Sequence, residues 1–342
     1  MSGVQFDPGK KKDLRMESTA SARPIAGILF IVAGMVAISI NDMLIKAMSG
    51  GYPLHQIIFL RSAIGMTFGI VMMQAEGGFR LLRTSQPGLH ILRGLLVVFS
   101  NMSYFVALAV LPLADATAMF FVAPLFITLL SMPILGEKVG PLRMGAVLVG
   151  FLGVVIMQRP WEASGDLGIS RIVLLLPVFS ALTYALLQVL TRKLGATSSA
   201  SAMSIYIQAA FVVVSIGFWA VAGDGRYAEG SDNPSVIFLF RAWVWPADGD
   251  WWPLIGLGLN SAVIGYCLAQ AYRISDAAAV APFEYIGLPL AVFWGWFLWA
   301  ELPPLPIWIG MALIAGSGLF VFLREKQNAR KVARAAEVKG RY

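Results

Sequence analysis

Cysteine and histidine are almost absent from this chain, and charge is scarce. Cys267 is the single cysteine among 342 residues, so no internal disulfide can form. It lies inside an apolar run, where a lone thiol behaves as a small hydrophobe. The only histidines, His55 and His90, have no partner spacing for a metal, and neither a metal site nor a cofactor is expected. Charged residues make up 13% of the chain, whereas a soluble domain carries about 25%. A GxxxxGK(S/T) phosphate loop and a GxSxG nucleophile turn are both missing, which removes ATP hydrolysis and acyl transfer from consideration. An enzyme has no residues to stand on here.

What the chain has is apolar length. It is 58% hydrophobic, with a mean hydropathy of +0.74. About 20 mostly apolar residues rise across the ~30 Å hydrocarbon core of a bilayer. Ten such runs can be placed, near 24–46, 53–74, 89–110, 113–135, 140–158, 169–191, 200–222, 252–272, 277–299 and 305–323. They are continuous and rich in Leu, Ala and Gly rather than alternating, so helices are expected and not barrel strands. The seventh run opens on polar Ser199, Ser201 and Ser204. The aromatic stretch 235–245 is too short to span and suits the interface, with Trp243 and Trp245 in the aromatic belt. The expected class is an all-α polytopic membrane protein of ten transmembrane helices.

The basic residues give the orientation. With the N-terminus inside, 20 of the 26 lysines and arginines fall on inner segments, Arg93 and Lys138 included. The longest outer loop is instead acidic, with Asp224, Glu229, Asp232, Asp248 and Asp250. This bias implies that both termini are cytoplasmic, and the inner membrane is the expected location. It also accounts for the net charge of +7 without nucleic acid, because the cations cluster at tails and short loops. Residues 1–23, with Lys10, Lys11 and Lys12, read as a cytoplasmic tail rather than a secretory signal, since no small-residue cleavage site follows.

Two segments about 160 residues apart, Leu111–Ile156 and Tyr272–Val321, follow one pattern. Each has an Asp before an Ala-rich run, a Pro within the apolar stretch, a lone Glu before a Pro-containing loop, and a Gly-studded helix. The register sets Ser100 against Ser261, Asp115 against Asp276, Glu137 against Glu301 and Gly145 against Gly310; more loosely, Asp42 faces Gln188 and Lys46 faces Arg192. The chain therefore divides into a tail (1–23), a first repeat (24–158), a second repeat (159–323) and a basic cytoplasmic tail (324–342). Five spans per repeat is an odd number, so the two copies enter the membrane in opposite senses, and a substrate site is expected at their midplane seam.

The paired segments ADATA (114–118) and DAAAVAPFEY (276–285), each followed by a lone Glu, resemble the drug/metabolite transporter superfamily and its ten-helix EamA-type members. INDMLIK (40–46) and FLRSA (59–63) are similar to that family's first pair of helices. The resemblance runs from about residue 24 to 325, and it departs at Ala300-Glu301, where the family usually has Gly-Glu. It implies transport of a small polar metabolite; members carry amino acids and derivatives, S-adenosylmethionine, riboflavin, sugar phosphates or cationic toxins.

Charges inside a membrane point to function because each costs about 2.5–3.5 kcal/mol to insert. Asp42 and Lys46 stand four apart on one helix face and can pair, with Arg61 nearby on the second span. They form either a structural triad or part of the substrate path, and Lys46 is close enough to the surface to snorkel. Glu284, near mid-depth beside Pro282, suits proton coupling or recognition of a cation; the alternative is a strut to backbone freed by the proline. Asn101, Tyr104, Tyr184, Gln188, Gln208, Asn260, Tyr266 and Gln270 line a cavity or act as packing glue between helices. Asp115 and Asp276 read as helix caps, and Glu137 and Glu301 as interface anchors. The glycines of spans five and ten serve internal packing or a homodimer face, and Pro124 and Pro289 kink spans four and nine. The expectation is a secondary transporter in a lipid bilayer with a small-molecule substrate and proton coupling. A passive channel or a scaffold subunit is the alternative.

Overall fold

Inside hydrocarbon every backbone N–H and C=O must be satisfied within the chain, and continuous helices do this segment by segment. The computed structural model follows that rule. It describes residues 8–137, 140–159, 161, 169–195, 197–275 and 280–339, and among these there is no strand. The helices are α1 (Pro8–Met48), α2 (Leu54–Glu76), α3 (Pro87–Leu108), α4 (Leu113–Phe120), α5 (Ala123–Leu135), α6 (Pro141–Gln158), α7 (Arg171–Leu194), α8 (Ala200–Ala222), α9 (Pro234–Phe240), α10 (Trp251–Ile274), α11 (Gly287–Trp299) and α12 (Leu305–Lys339). Among the described residues eight segments are long and apolar enough to cross a bilayer, and Phe283–Trp299 and Leu305–Phe320 are shorter apolar helices. Together they make the ten expected spans. Helix α1 starts at Pro8, ahead of the apolar run that begins near residue 24.

Local chemistry sets several boundaries. The serines that open α8 include its cap: Ser199 Oγ accepts from the Ala202 N–H at 3.2 Å. Ser170 Oγ likewise accepts from the Ile172 N–H and starts α7. Short α9 is capped by Asn233 and is followed by a chain that lays Trp243 against His55 and Phe59, while Trp245 stays exposed.

The fourth and ninth spans are both broken in the middle. The fourth divides into α4 and α5 at Phe121–Val122, with Pro124 in the first turn of α5, where its missing N–H is harmless. In the ninth, a 3-10 turn over Ala281–Ile286 precedes α11, which begins at Gly287. The breaks thus fall just ahead of Pro124 and Pro289, as interruptions rather than simple kinks.

Packing is symmetric between the halves. Helix α1 lies along α10 as α7 lies along α3, and α5 lies on α7 as α11 with its 3-10 turn lies on α1. Helices α2 and α8, and α6 and α12, pair with their own counterparts, while α4 packs on α11 as α5 packs on the 3-10 turn of the ninth span. Exchanging the halves maps this pattern onto itself. The glycines of α6 and α12 work inside the bundle: a Cβ on Gly310 would stand 2.8 Å from the Gly153 carbonyl oxygen, and one on Gly150 would meet Leu125. Gly145 and Gly316 have open space instead. Large apolar side chains such as Leu29, Val71, Ile91, Leu148, Ile172 and Val213 are exposed around the outside, the surface that lipid covers.

One expectation changes. Asp115 is not the cap of α4, because Pro112 holds that position and no side chain caps the helix. Asp115 sits within the first turn, buried, where the helix dipole favours an acid. Its counterpart Asp276 lies outside the described residues, as does Lys138.

Candidate functional site

The seam between the halves holds a cavity of about 150 Å³. Its wall is built from α1, α2, α3, α4, α7, α8, α10 and α11. Phe105, Phe120, Phe121, Phe211 and Leu268 supply much of the apolar lining. Seven of the sequence candidates meet there: Asp42, Arg61, Asn101, Tyr104, Tyr184, Gln188 and Gln208.

On the α1–α2 side, Asn41 bridges the two charges. Its Nδ2 donates to Asp42 Oδ1 at 3.0 Å, and Arg61 Nη1 donates to Asn41 Oδ1 at 3.0 Å. Asp42 is 9% exposed and Arg61 4%, and the Arg61 guanidinium also lies 5.0 Å from the centre of the Phe211 ring. The pairing of Asp42 with Lys46 does not occur. Lys46 Nζ instead sits 2.9 Å from Glu301 Oε2, donates to the Leu111 carbonyl, and rides over Trp299 at 5.0 Å. Lys46 therefore ties the end of α1 to the loop behind α11, away from the cavity. Glu301, read as an interface anchor, is its ion-pair partner.

An aromatic string crosses the wall. Phe120 contacts Tyr104 and Tyr184, with ring centres 5.4 and 5.2 Å apart. The Tyr104 hydroxyl shares a 2.8 Å hydrogen bond with Thr117. The Tyr184 hydroxyl donates to Glu284 Oε1 at 3.0 Å, and the Tyr272 hydroxyl donates to the same oxygen. Glu284 is 1% exposed and stands one layer behind the cavity, reached through Tyr184. Its carboxylate is held by two tyrosines from α7 and α10, and the backbone ahead of Pro282, where a strut would bond, lies outside the described residues.

Ser100 and Ser261, matched in the repeat, both line the cavity but differ in role. Ser100 and Ser180 exchange hydrogen bonds across α3 and α7, with Ser180 Oγ donating to the Ser100 carbonyl at 2.7 Å. Ser261 accepts from Gln208 Nε2 at 3.0 Å. Asn101 donates to the Val97 carbonyl within its own helix. Asn260 acts as glue, donating to the Ala37 carbonyl of α1 at 2.6 Å. Tyr266 and Gln270 do not line the cavity: Tyr266 packs edge-on against Phe30, and Gln270 accepts from Arg273 Nε at 3.0 Å.

Arg93 is the residue that sequence reasoning misassigned. Counted with the inner loops, it is in fact 1% exposed and lines the cavity, with Nε donating to Thr191 Oγ1 at 3.0 Å. The signal was available: Arg93, Val97, Ser100, Asn101 and Tyr104 fall on one helical face, and all five line the cavity. Asn41, one residue before Asp42, was likewise passed over.

Comparisons with known proteins agree with this architecture. Residues 25–159 match the EamA-like transporter family. The riboflavin transporter of Rhizobium johnstonii is 28% identical over 326 residues, covering 94% of this chain and 100% of that protein. The S-adenosylmethionine uptake transporter of Rickettsia prowazekii is 28% identical over 302 residues, covering 88% and 94%. A solved crystal structure with 20% identity superposes with a TM-score of 0.62 over 87% of this chain and 96% of the other, a likeness of fold.

Proposed function

Residues 25–159 match the EamA-like transporter family, and we propose that this chain is a member of it, a secondary transporter working by alternating access. The family and the relatives are transporters and not enzymes, and the relatives are named for small metabolites. In this reading the two five-helix halves rock about the seam and expose the cavity to either face of the inner membrane in turn, with both termini cytoplasmic. The carrying observation is the cavity itself, to which both halves contribute buried polar side chains: Asp42, Arg61 and Tyr104 from one, Tyr184, Gln188 and Gln208 from the other. Riboflavin and S-adenosylmethionine are the first substrates to try, because relatives of this length are named for them.

Glu284 is the proposed coupling group. As a carboxylate it only accepts hydrogen bonds, whereas the protonated form donates one. Gaining a proton would therefore change the bond that Tyr184 makes from the cavity wall.

The test is uptake of labelled riboflavin, S-adenosylmethionine and amino acids into proteoliposomes, with and without a pH gradient. A transporter saturates with substrate, whereas a passive channel does not. Glu284→Gln is expected to retain binding while losing the response to the gradient. An unchanged response in that variant removes Glu284 from the coupling role. Deleting residues 324–342 is expected to leave transport intact; a scaffold acting through its basic tail would lose function instead.

A further inference from the structure

Arg93 is a buried charge without a countercharge. Its Nε is satisfied by Thr191, but Nη1 is buried and has no hydrogen-bond partner. A guanidinium keeps its charge at physiological pH. Among the described residues no carboxylate pairs with it, whereas Arg61 has Asp42 within reach through Asn41. Such an isolated cation is costly in a low-dielectric interior, and proteins usually neutralise one. The charged side chains on the cavity wall are Asp42, Arg61 and Arg93, one acid against two cations. Arg61 Nε and Gln208 Oε1 on the same wall are also buried and unpartnered.

We propose that the substrate carries an anionic or strongly accepting oxygen group, docked on Arg93 Nη1 and Arg61 Nε. It would also present a donor to Gln208 Oε1 and rest a flat apolar body on Phe105, Phe120 and Phe211. Two chemistries share this feature: a carboxylate, and the conjugated carbonyls of a neutral heterocycle. A substrate whose only strongly polar end is cationic does not fit. The inference rests on the transporter reading and narrows its substrate class.

The test is ligand binding to the purified full chain in detergent, measured by isothermal titration calorimetry. Indole-3-acetate and tryptamine share one ring with opposite charge, and riboflavin supplies neutral conjugated carbonyls. Indole-3-acetate or riboflavin is expected to bind at least tenfold tighter than tryptamine, and the better of the two identifies the oxygen source. Arg93→Gln is expected to weaken that binding tenfold or more, with Arg93→Lys recovering part of it. The melting temperature of the ligand-free Arg93→Gln protein should stay level or rise, because an unpaired buried charge has gone. Equal binding of tryptamine, binding by neither acceptor probe, or an affinity indifferent to Arg93→Gln overturns the proposal. If Arg93→Gln fails to fold, the comparison of the three probes on the unaltered protein decides alone. Saturable uptake that ignores Arg93→Gln would sink this inference and leave the transporter reading standing. Binding that depends on Arg93 without any uptake would do the reverse.

Discussion

At the scale of single residues, the four charges Asp42, Lys46, Arg61 and Arg93 sort by partner rather than by spacing. Asp42 and Lys46 share a helix face, yet each bonds elsewhere, because a long lysine reaches the end of its helix while a short aspartate stays at its own level. The Lys46–Glu301 pair is 11% and 32% exposed, between a surface pair and a buried one. Glu301→Gln is therefore expected to cost about 1–2 kcal/mol. Combined with Lys46→Met it should cost less than the two singles added. Chemical unfolding in detergent measures both, with exposed Glu229→Gln as the control. A Glu301→Gln loss no larger than the control would show that the pair contributes nothing. Arg93 was hidden from the charge count for a related reason. A cation seven positions into a helix can belong to the interface or to the interior, and only its face tells which.

At the scale of elements, the repeat is most literal where helices end. Helix α5 stops at Gly136, in the left-handed region at φ 72°, with the Glu137 N–H bonded to the Ser131 carbonyl. Helix α11 stops at Ala300, φ 53°, with the Glu301 N–H bonded to the Gly295 carbonyl. With the Gly136 and Ala300 N–H groups bonded four residues back to Met132 and Trp296, these are matching left-handed caps, and the lone Glu of each repeat is the residue after the turn. The backbone favours a glycine at this place, as at Gly136, since a side chain there is strained by about 1–2 kcal/mol. Ala300→Gly should accordingly raise stability by about 0.5–1 kcal/mol, and Gly136→Ala should lower it by about 1 kcal/mol. Nothing lies within 4 Å of a Cβ on Gly136, so a loss there is conformational and not steric. Thermal unfolding followed by fluorescence checks both signs; a destabilised Ala300→Gly would contradict the cap argument. The paired breaks in spans four and nine were only half legible. The prolines marked their neighbourhood, but the 3-10 turn that holds Glu284 has no distinctive composition.

At the scale of the whole molecule, the two halves pack as images of each other, and the cavity lies where the images meet. Moving Arg93 to the interior lowers the inner basic tally from 20 to 19 of 26, which leaves the orientation argument intact. A fluorescent protein fused at either terminus is expected to fluoresce in the cytoplasm. Alkaline phosphatase inserted at exposed Gly230, in the acidic loop after α8, is expected to be active outside. Inactive phosphatase at that point would invert the orientation and exchange the inner and outer ends of the cavity.

Helix class, the ten spans and the duplicated pattern were settled by sequence alone, because burial in hydrocarbon is a property that each run of about 20 residues carries by itself. Which polar groups meet was decided only by the tertiary structure. Arg93 finds Thr191 across 98 positions, Tyr184 finds Glu284 across 100, and Lys46 finds Glu301 across 255. A buried polar group is defined by what stands opposite it, and no local pattern encodes a partner on another helix.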